Sequence, residues 1–430
     1  MSARSEFTPM RLRSGLSLFV LLAGAAVAMA EDRPATSTPL TLDAAVQLAL
    51  QQQPAVRAAR ASAQATAVQM EAANSFLANL TGPQIHIRRQ QGQVGVAIAD
   101  AGVTQAEFET INAVTRNYLS VLYANEQLKI AEEAVANFKV IYEAAKRLVE
   151  VVGSKEVTTS DLDRIRTYQL LAETRVVEAR LGKLRAEAAL REAIGLAPNC
   201  PLDLGDDSLD RYYREATRYL REHKLDICCP RAVELAVRHR PEVMQADLFA
   251  ELVRLEIEAQ NLTMHPYART FAATGDIHVR VLPATYMNGD YRPGAVGPEM
   301  PVYFAGSREA RTERARVLYD RALSVADKTR GLVALETEEA CARLQQYARQ
   351  IEILREASEQ TDKLRKKAEE SYRADQLSTE RMLAAQVLDA QTKAQLNEAI
   401  YNYGIALATL QRATGGQLWK SLEPVPAAKD

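Results

Sequence analysis

The sequence predicts a mainly α protein: duplicated long antiparallel helical hairpins, coiled-coil-like contributors to an α-barrel, with one short β-hairpin per repeat. Three observations lead there. Only 19 Gly and 16 Pro fall in 430 residues and aromatics reach 6%, too few turn formers and strand-favouring side chains for a β-rich body. Leu128, Val135, Tyr142 and Val149 recur every seven residues, as do Ala131, Phe138, Ala145 and Val152, which together make an a/d seam over four heptads. The order of motifs in the first half of the chain also returns in the second half.

The chain opens on a targeting segment. Arg11 and Arg13 precede an apolar run from Leu16 to Val27 that ends in Ala28-Met29-Ala30, the order of a cleavable signal peptide, and cleavage after Ala30 is expected. The run is shorter than the roughly twenty residues of a membrane-spanning helix. Ala45-Val46-Gln47-Leu48-Ala49-Leu50 and Pro54 then return as Ala232-Val233-Glu234-Leu235-Ala236-Val237 and Pro241, and Glu71-Ala72 with Asn74 return as Glu258-Ala259 with Asn261. Further on, Thr158-Thr159, Leu162, Leu190 and Gly195 have their counterparts in Ser378-Thr379, Met382, Leu410 and Gly415. The expected organisation is a signal peptide over 1–30, a first repeat over 31–205, a connecting segment over 206–229, a second repeat over 230–417 and a tail over 418–430.

Each repeat begins with a helix, capped by Thr41 or Asp43 in the first and started by Pro230 in the second. A residue before proline avoids helical angles, so Gln53-Pro54 and Arg240-Pro241 each break the chain and start a second helix, running to about Leu77 and Leu262. Ile85-His86-Ile87-Arg88 and Ile277 to Val281 alternate apolar and polar and are predicted as strands, with returns over Val94 to Ile98 and near Pro301 to Ala305. A helical hairpin follows in each half. The first arm is expected from about Gln105, breaks near Gly153-Ser154-Lys155 and restarts at Thr158 or Thr159 with Asp161 and Asp163 in its first turn. The second breaks near Ala374-Asp375-Gln376, and Ser378 caps the return with Glu380 at its start. In the last helix Leu396, Tyr403 and Leu410, with Ala399 and Ala406 and with Ile400 and Leu407, widen the apolar face enough to serve neighbours on two sides.

Composition also excludes functions. With 53 basic against 55 acidic residues the chain has no bulk positive potential for nucleic acid. Cys200, Cys228, Cys229 and Cys341 fit neither a disulfide framework nor a CxxC zinc site. No nucleophile, metal cluster or phosphate loop is evident, so neither an enzyme nor a cofactor is expected. His86 and His278 fall on the polar side of their predicted strands, which favours lumen or solvent over a metal pair.

Taken with Leu40-Thr41-Leu42-Asp43-Ala44-Ala45-Val46 through Gln53-Pro54, Asn117-Tyr118-Leu119, Ala124-Asn125-Glu126-Gln127-Leu128, Tyr372 through Ser378, Met382-Leu383-Ala384-Ala385-Gln386 and Tyr401-Asn402-Tyr403, this order resembles the TolC-like outer-membrane efflux protein family over nearly the whole mature chain. The resemblance implies a homotrimer in the outer membrane and periplasm. Each subunit would give four strands to a shared β-barrel in contact with outer-membrane lipid, and its helices to a tunnel. The tips would meet a periplasmic adaptor joined to an inner-membrane pump, and substrates would pass passively. Gly153, Asp161, Asp375, Glu380 and Arg381 are the candidate residues of the tip and its constriction. Family members commonly carry acidic residues just after the second tip, where alignment on Ser378 and Tyr403 puts Arg381 and Ala384 here. The alternative is a periplasmic coiled-coil scaffold or adaptor-like protein of the same descent, its hairpins too short to span the membrane.

Overall fold

A computed structural model of the chain describes residues 39–73, 84–152, 157–205, 208–222, 229–273 and 297–416. The chain divides at Thr38 into two units; the first, with the predicted signal peptide, lies outside the described residues. In the second, α1 (Leu42–Gln52) and α2 (Pro54–Ala73) lead to the long α3 (Ile85–Arg147), which ends in a π-turn over Leu148–Val152, and to α4 (Thr159–Ile194). After α5 (Leu209–Glu222) the order returns: α6 (Cys229–His239), α7 (Pro241–Leu262), a sheet of β1 (Tyr267–Arg269) and β2 (Tyr303–Ala305), the long α8 (Arg308–Arg373) and α9 (Thr379–Ala413). α3 and α8 have 63 and 66 residues, about 95 to 100 Å each at a rise of roughly 1.5 Å per residue.

The proline breaks form as predicted and hold the helix ends together. Thr41 caps α1 by accepting from the Ala44 N–H at 3.3 Å. Gln53 is extended before Pro54, and its Nε2 donates to the carbonyls of Glu192 and Ala193 at 3.1 Å each, covering the C-terminus of α4. That terminus closes on Gly195 in the left-handed region (φ 84°), where a Cβ would press to 3.3 Å against the backbone of Gln52 and Gln53. The same joint occurs in the second half: Arg240 is extended before Pro241, and Gly415 (φ 60°), beyond α9, lies where a Cβ would come within 3.0 Å of the His239 carbonyl.

The strands predicted over Ile85–Arg88 and Val94–Ile98 are instead the first turns of α3, which starts twenty residues before the expected Gln105. An alternation of four residues is too short to fix a period. The buried positions are Ile87, Gln91, Gly95, Ile98 and Ala101, a three-to-four spacing that lays one helix face against Phe249, Leu252, Leu255 and Ala259 of α7. In the second half, Ile277–Val281 lies outside the described residues. The predicted return near Pro301–Ala305 does form β2, but its partner is β1, with Tyr267, Ala268 and Arg269 opposite Ala305, Phe304 and Tyr303. The placement of the first-half hairpin is therefore corrected: among the described residues the sheet belongs to the second half, and Ile85–Arg88 and Val94–Ile98 are helical.

The heptad seam is real but shifted. Phe138 and Ala145 are buried as predicted, while its other line runs through Ile141 and Leu148, one residue before the half-buried Tyr142 and Val149. The wide face of α9 forms as expected: Ala399, Ile400, Tyr403, Ala406, Leu407 and Leu410 are buried, because α9 packs on both α8 and α3. The largest core cluster lies where α1, α3, α4, α5, α8 and α9 meet, and includes Tyr118, Leu122, Ile194, Tyr213, Leu344 and Leu410.

Candidate functional site at the hairpin tips

The two tips share one apolar cluster. Phe138, Ile141 and Leu148 at the end of α3 pack with Val157 and Ile165 of the first tip and with Tyr372, Met382 and Leu383 of the second. Within it Tyr372 is fully buried, and its hydroxyl lies 3.2 Å from Thr379 Oγ1. Burial pushes the Tyr372 phenol up, the Thr379 contact opposes that, and the charges of Asp161 and Asp375 push it further. One acid from each tip thus acts on the same side chain.

Each predicted tip residue has a definite place. Gly153 lies outside the described residues. Asp161 Oδ2 accepts from the Thr158 N–H at 3.0 Å and the Thr158 hydroxyl at 2.8 Å, tying down the first turn of α4. Asp375 occupies the left-handed position (φ 57°) of a Schellman turn: its N–H donates to Tyr372 O at 3.1 Å, and the Gln376 N–H to Ser371 O at 2.9 Å. Glu380 and Arg381 are exposed on the first turn of α9, as is Ala384 one turn on. The structure brings Asp161 and Asp375 to the shared cluster and leaves Glu380 and Arg381 on the surface.

A left-handed residue with a Cβ costs roughly 1–2 kcal/mol that glycine does not. Asp375→Gly is therefore expected to keep or raise the melting temperature, and Asp375→Val to lower it by about 1 kcal/mol of stability. Thermal melts of the two variants read this directly, and a Gly variant that melts lower than Val would refute it.

Above the tip, a charge cluster that sequence reasoning missed joins three helices. Asp389 of α9 is buried, with Arg365 Nε of α8 at 3.2 Å, Lys393 Nζ at 3.0 Å and Thr361 Oγ1 at 3.4 Å. Lys393 also donates to Glu133 of α3 at 2.8 Å. Although burial opposes its charge, the contacts to Glu133 and Asp389 push the Lys393 ammonium up overall. The spacing of Asp389 and Lys393 on one helix was a usable signal; the reach to Arg365 and Glu133 was not.

The lateral faces complete the site. One face of α4 buries Ile165, Gln169, Ala172 and Val176 against α3. The other carries Leu170, Thr174, Val177, Leu181, Leu184 and Ala188, also at alternating four and three spacing, and all are exposed. Beside it an open groove of about 900 Å³, walled by Tyr123, Phe138, Tyr168, Leu171, Val387 and Tyr401, runs between α4 and α9 over α3. Among the described residues no helix is long and apolar enough to cross a membrane, and no group of three or more His, Cys, Asp or Glu is placed to hold a metal ion.

Solved structures share this architecture over nearly the whole chain. The channel CusC, studied for the changes that accompany folding and transmembrane channel formation, matches at a TM-score of 0.67 and 15% identity, over 88% of this chain and 92% of that one. The open state of the MtrE outer-membrane channel of Neisseria gonorrhoeae matches at 0.66 and 14%, over 88% and 90%. The outer-membrane protein VceC of Vibrio cholerae matches at 0.63 and 14%, over 87% and 96%. The fold is TolC-like. At these identities the likeness concerns architecture, and it agrees with the family that the sequence motifs resemble. No family model and no curated protein matches the sequence. Within the TolC-like fold, α3 with α4 and α8 with α9 are the two long helical hairpins, and the residues discussed above are their tips and flanks.

Proposed function

We propose that this chain is the channel subunit of a tripartite efflux or secretion system: an outer-membrane homotrimer that conducts substrates passively through a helical tunnel, joined at its tips to a periplasmic adaptor and an inner-membrane pump. The observation that carries the reading is the second, unpartnered seam on α4, taken within the TolC-like fold. A helix with heptad seams on two faces needs two partner helices, and among the described residues α4 has only α3 as a major one. The exposed Val317, Ile353 and Leu364 of α8 offer apolar surface for the α4 of another copy. The recurrence of the joint at Gly195 and Gly415 supports two repeats, 31–205 and 230–417. Residues 1–30 are the export signal in this reading, which N-terminal sequencing of the mature protein tests. Asp161, Asp375, Glu380 and Arg381 form the mixed-charge mouth of the tunnel in place of a ring of carboxylates.

Val177→Lys with Leu184→Lys is expected to abolish the trimer while leaving helicity intact, because both change only exposed positions of α4. Light scattering in detergent and circular dichroism measure the two halves of this statement. A doubly substituted protein that remains trimeric would overturn the seam as the subunit contact.

A second reading is favoured by one observation. Because α3 begins at Ile85 and α2 ends at Ala73, eleven residues separate them. Two membrane-crossing strands of about nine to eleven residues each do not fit in that length. Among the described residues the first repeat then gives no spanning hairpin, and in this reading the chain is a periplasmic helical scaffold of the same descent. Release by osmotic shock without detergent supports the scaffold; single-channel current in planar bilayers supports the channel.

A further inference from the structure

Between α3, α8 and α9 one face of each helix turns polar where the core floor is alanine. Asn112 and Arg116 stand one turn apart on α3, Glu336, Glu339, Arg343 and Tyr347 follow at three-to-four spacing on α8, and Thr409 and Arg412 lie three apart on α9. Ala340 and Ala406, both buried, are too short to fill the space between these side chains, and a half-open crevice of about 300 Å³ is left. That is room for about ten waters at roughly 30 Å³ each. A core built only for stability closes such a space with a longer apolar side chain.

The charges of the crevice are unevenly used. Glu336 is taken up by Arg412 and by the buried Arg240, and Glu339 by Arg343. Arg116 pairs with no carboxylate among the described residues. Arg412 spends an Nη on Glu336, yet its Nε, shielded from solvent, has no acceptor, and Asn112 Oδ1, equally shielded, has no donor. Each such orphan costs about 1–3 kcal/mol. Burial pushes the Glu339 carboxyl up, Arg343 pulls it down, and Glu336 pushes it up again, with a net rise, so its negative charge is under-compensated even beside Arg343. The two orphans are of opposite kind. A carboxylate answers the donors, since a guanidinium takes it through paired N–H bonds, and an ammonium answers the acceptors. Asn112 and Arg116, one turn apart, have Cβ atoms about 5–6 Å apart, so the two charges must sit close together on one molecule.

We propose that this crevice binds a free α-amino acid with an apolar side chain, its carboxylate on Arg116 and Arg412 Nε, its ammonium on Asn112 Oδ1 and Glu339, and its side chain along the walls formed by Tyr347 and Ile405. The site lies within one chain. It does not depend on the channel reading, and the two fail separately.

Equilibrium dialysis of the purified full-length protein against labelled L-leucine tests this, with L-leucinamide, N-acetyl-L-leucine and inorganic phosphate as competitors. L-Leucine is expected to bind with a Kd of about 0.1–1 mM, and the amide and the N-acetyl compound, each lacking one of the two charges, to compete about tenfold or more weakly. Arg116→Gln and Asn112→Leu are each expected to weaken leucine binding about tenfold at an undiminished melting temperature, because Arg116 is exposed and Asn112 Oδ1 has no hydrogen bond to lose. Arg412→Lys, which keeps a cation for Glu336 but has no Nε donor at that place, is expected to do the same; if it melts early, the other two variants carry the test. Leucinamide or N-acetylleucine competing as well as leucine, phosphate competing better than leucine, or full affinity in Arg116→Gln overturns the proposal. So does the absence of bound leucine at up to about 10 mM, which makes the crevice a water site.

Discussion

Glu256→Ala is expected to destabilise the β-sheet end of the bundle by about 3–5 kcal/mol, the cost of breaking a buried ion pair from one side. Glu256 is fully buried in α7. Its carboxylate accepts from Arg88 at 2.5 and 3.1 Å, from Gln91 at 2.9 Å, from Gln260 at 2.7 Å and from the Phe271 N–H at 3.2 Å. Alanine leaves the guanidinium with one carboxylate fewer in a mostly buried place, and takes one acceptor from the amides of Gln91 and Gln260 and from the Phe271 N–H, of which Gln91 keeps the Leu252 carbonyl at 3.1 Å. Glu256→Gln keeps shape and some hydrogen bonding, so it should cost less. Arg88→Met with Glu256→Met should cost less than Glu256→Ala alone, because both charges leave together. Thermal melts rank the three, and hydrogen exchange should show the loss concentrated in the first turns of α3 and in α7. Equal costs for the single and double changes would mean that packing, not charge pairing, sets the stability there.

This network also marks the limit of what local sequence pattern reveals. Helix boundaries depend on neighbours a few residues away, so Thr41, Pro54, Thr158, Pro241 and Ser378 were legible, and so was the wide face of α9. The start of α3 was not, because Ile85 to Arg88 carry a strand-like alternation whose outcome is decided by α7, with Arg88 and Glu256 separated by 168 positions. At the tips the sequence found the acids and their turns, but the roles of Asp161 and Asp375 in holding the backbone become visible only with Tyr372 between them. The outward seam on α4 was legible in principle at Leu170, Val177 and Leu184. A sequence does not say which of two heptad faces has already been used.

At the opposite joint, Glu336→Gln is expected to cost more than Arg412→Met, although the two side chains pair with each other. Arg240, extended before Pro241, directs Nε to Glu242 at 2.8 Å and places Nη2 2.9 Å from Glu336 Oε2, and Glu336 is also the partner of Arg412. The cluster holds two arginines and two glutamates, and ties the start of α7 to α8 and α9. Burial works against the charge of Arg240, but the attraction of Glu242 and Glu336 wins and raises its pKa. For Arg412 the balance is reversed: burial first, then Arg240, push its pKa down despite Glu336. Neutralising Glu336 leaves buried Arg240 and partly buried Arg412 facing Glu242 and the more weakly acting Glu109, a loss of about 3–5 kcal/mol, whereas removing Arg412 relieves a repulsion and leaves one arginine between two carboxylates. Melting temperatures of the two variants decide the order. If Arg412→Met proved the costlier, Arg412 rather than Glu336 would be the group that joins α9 to the start of α7.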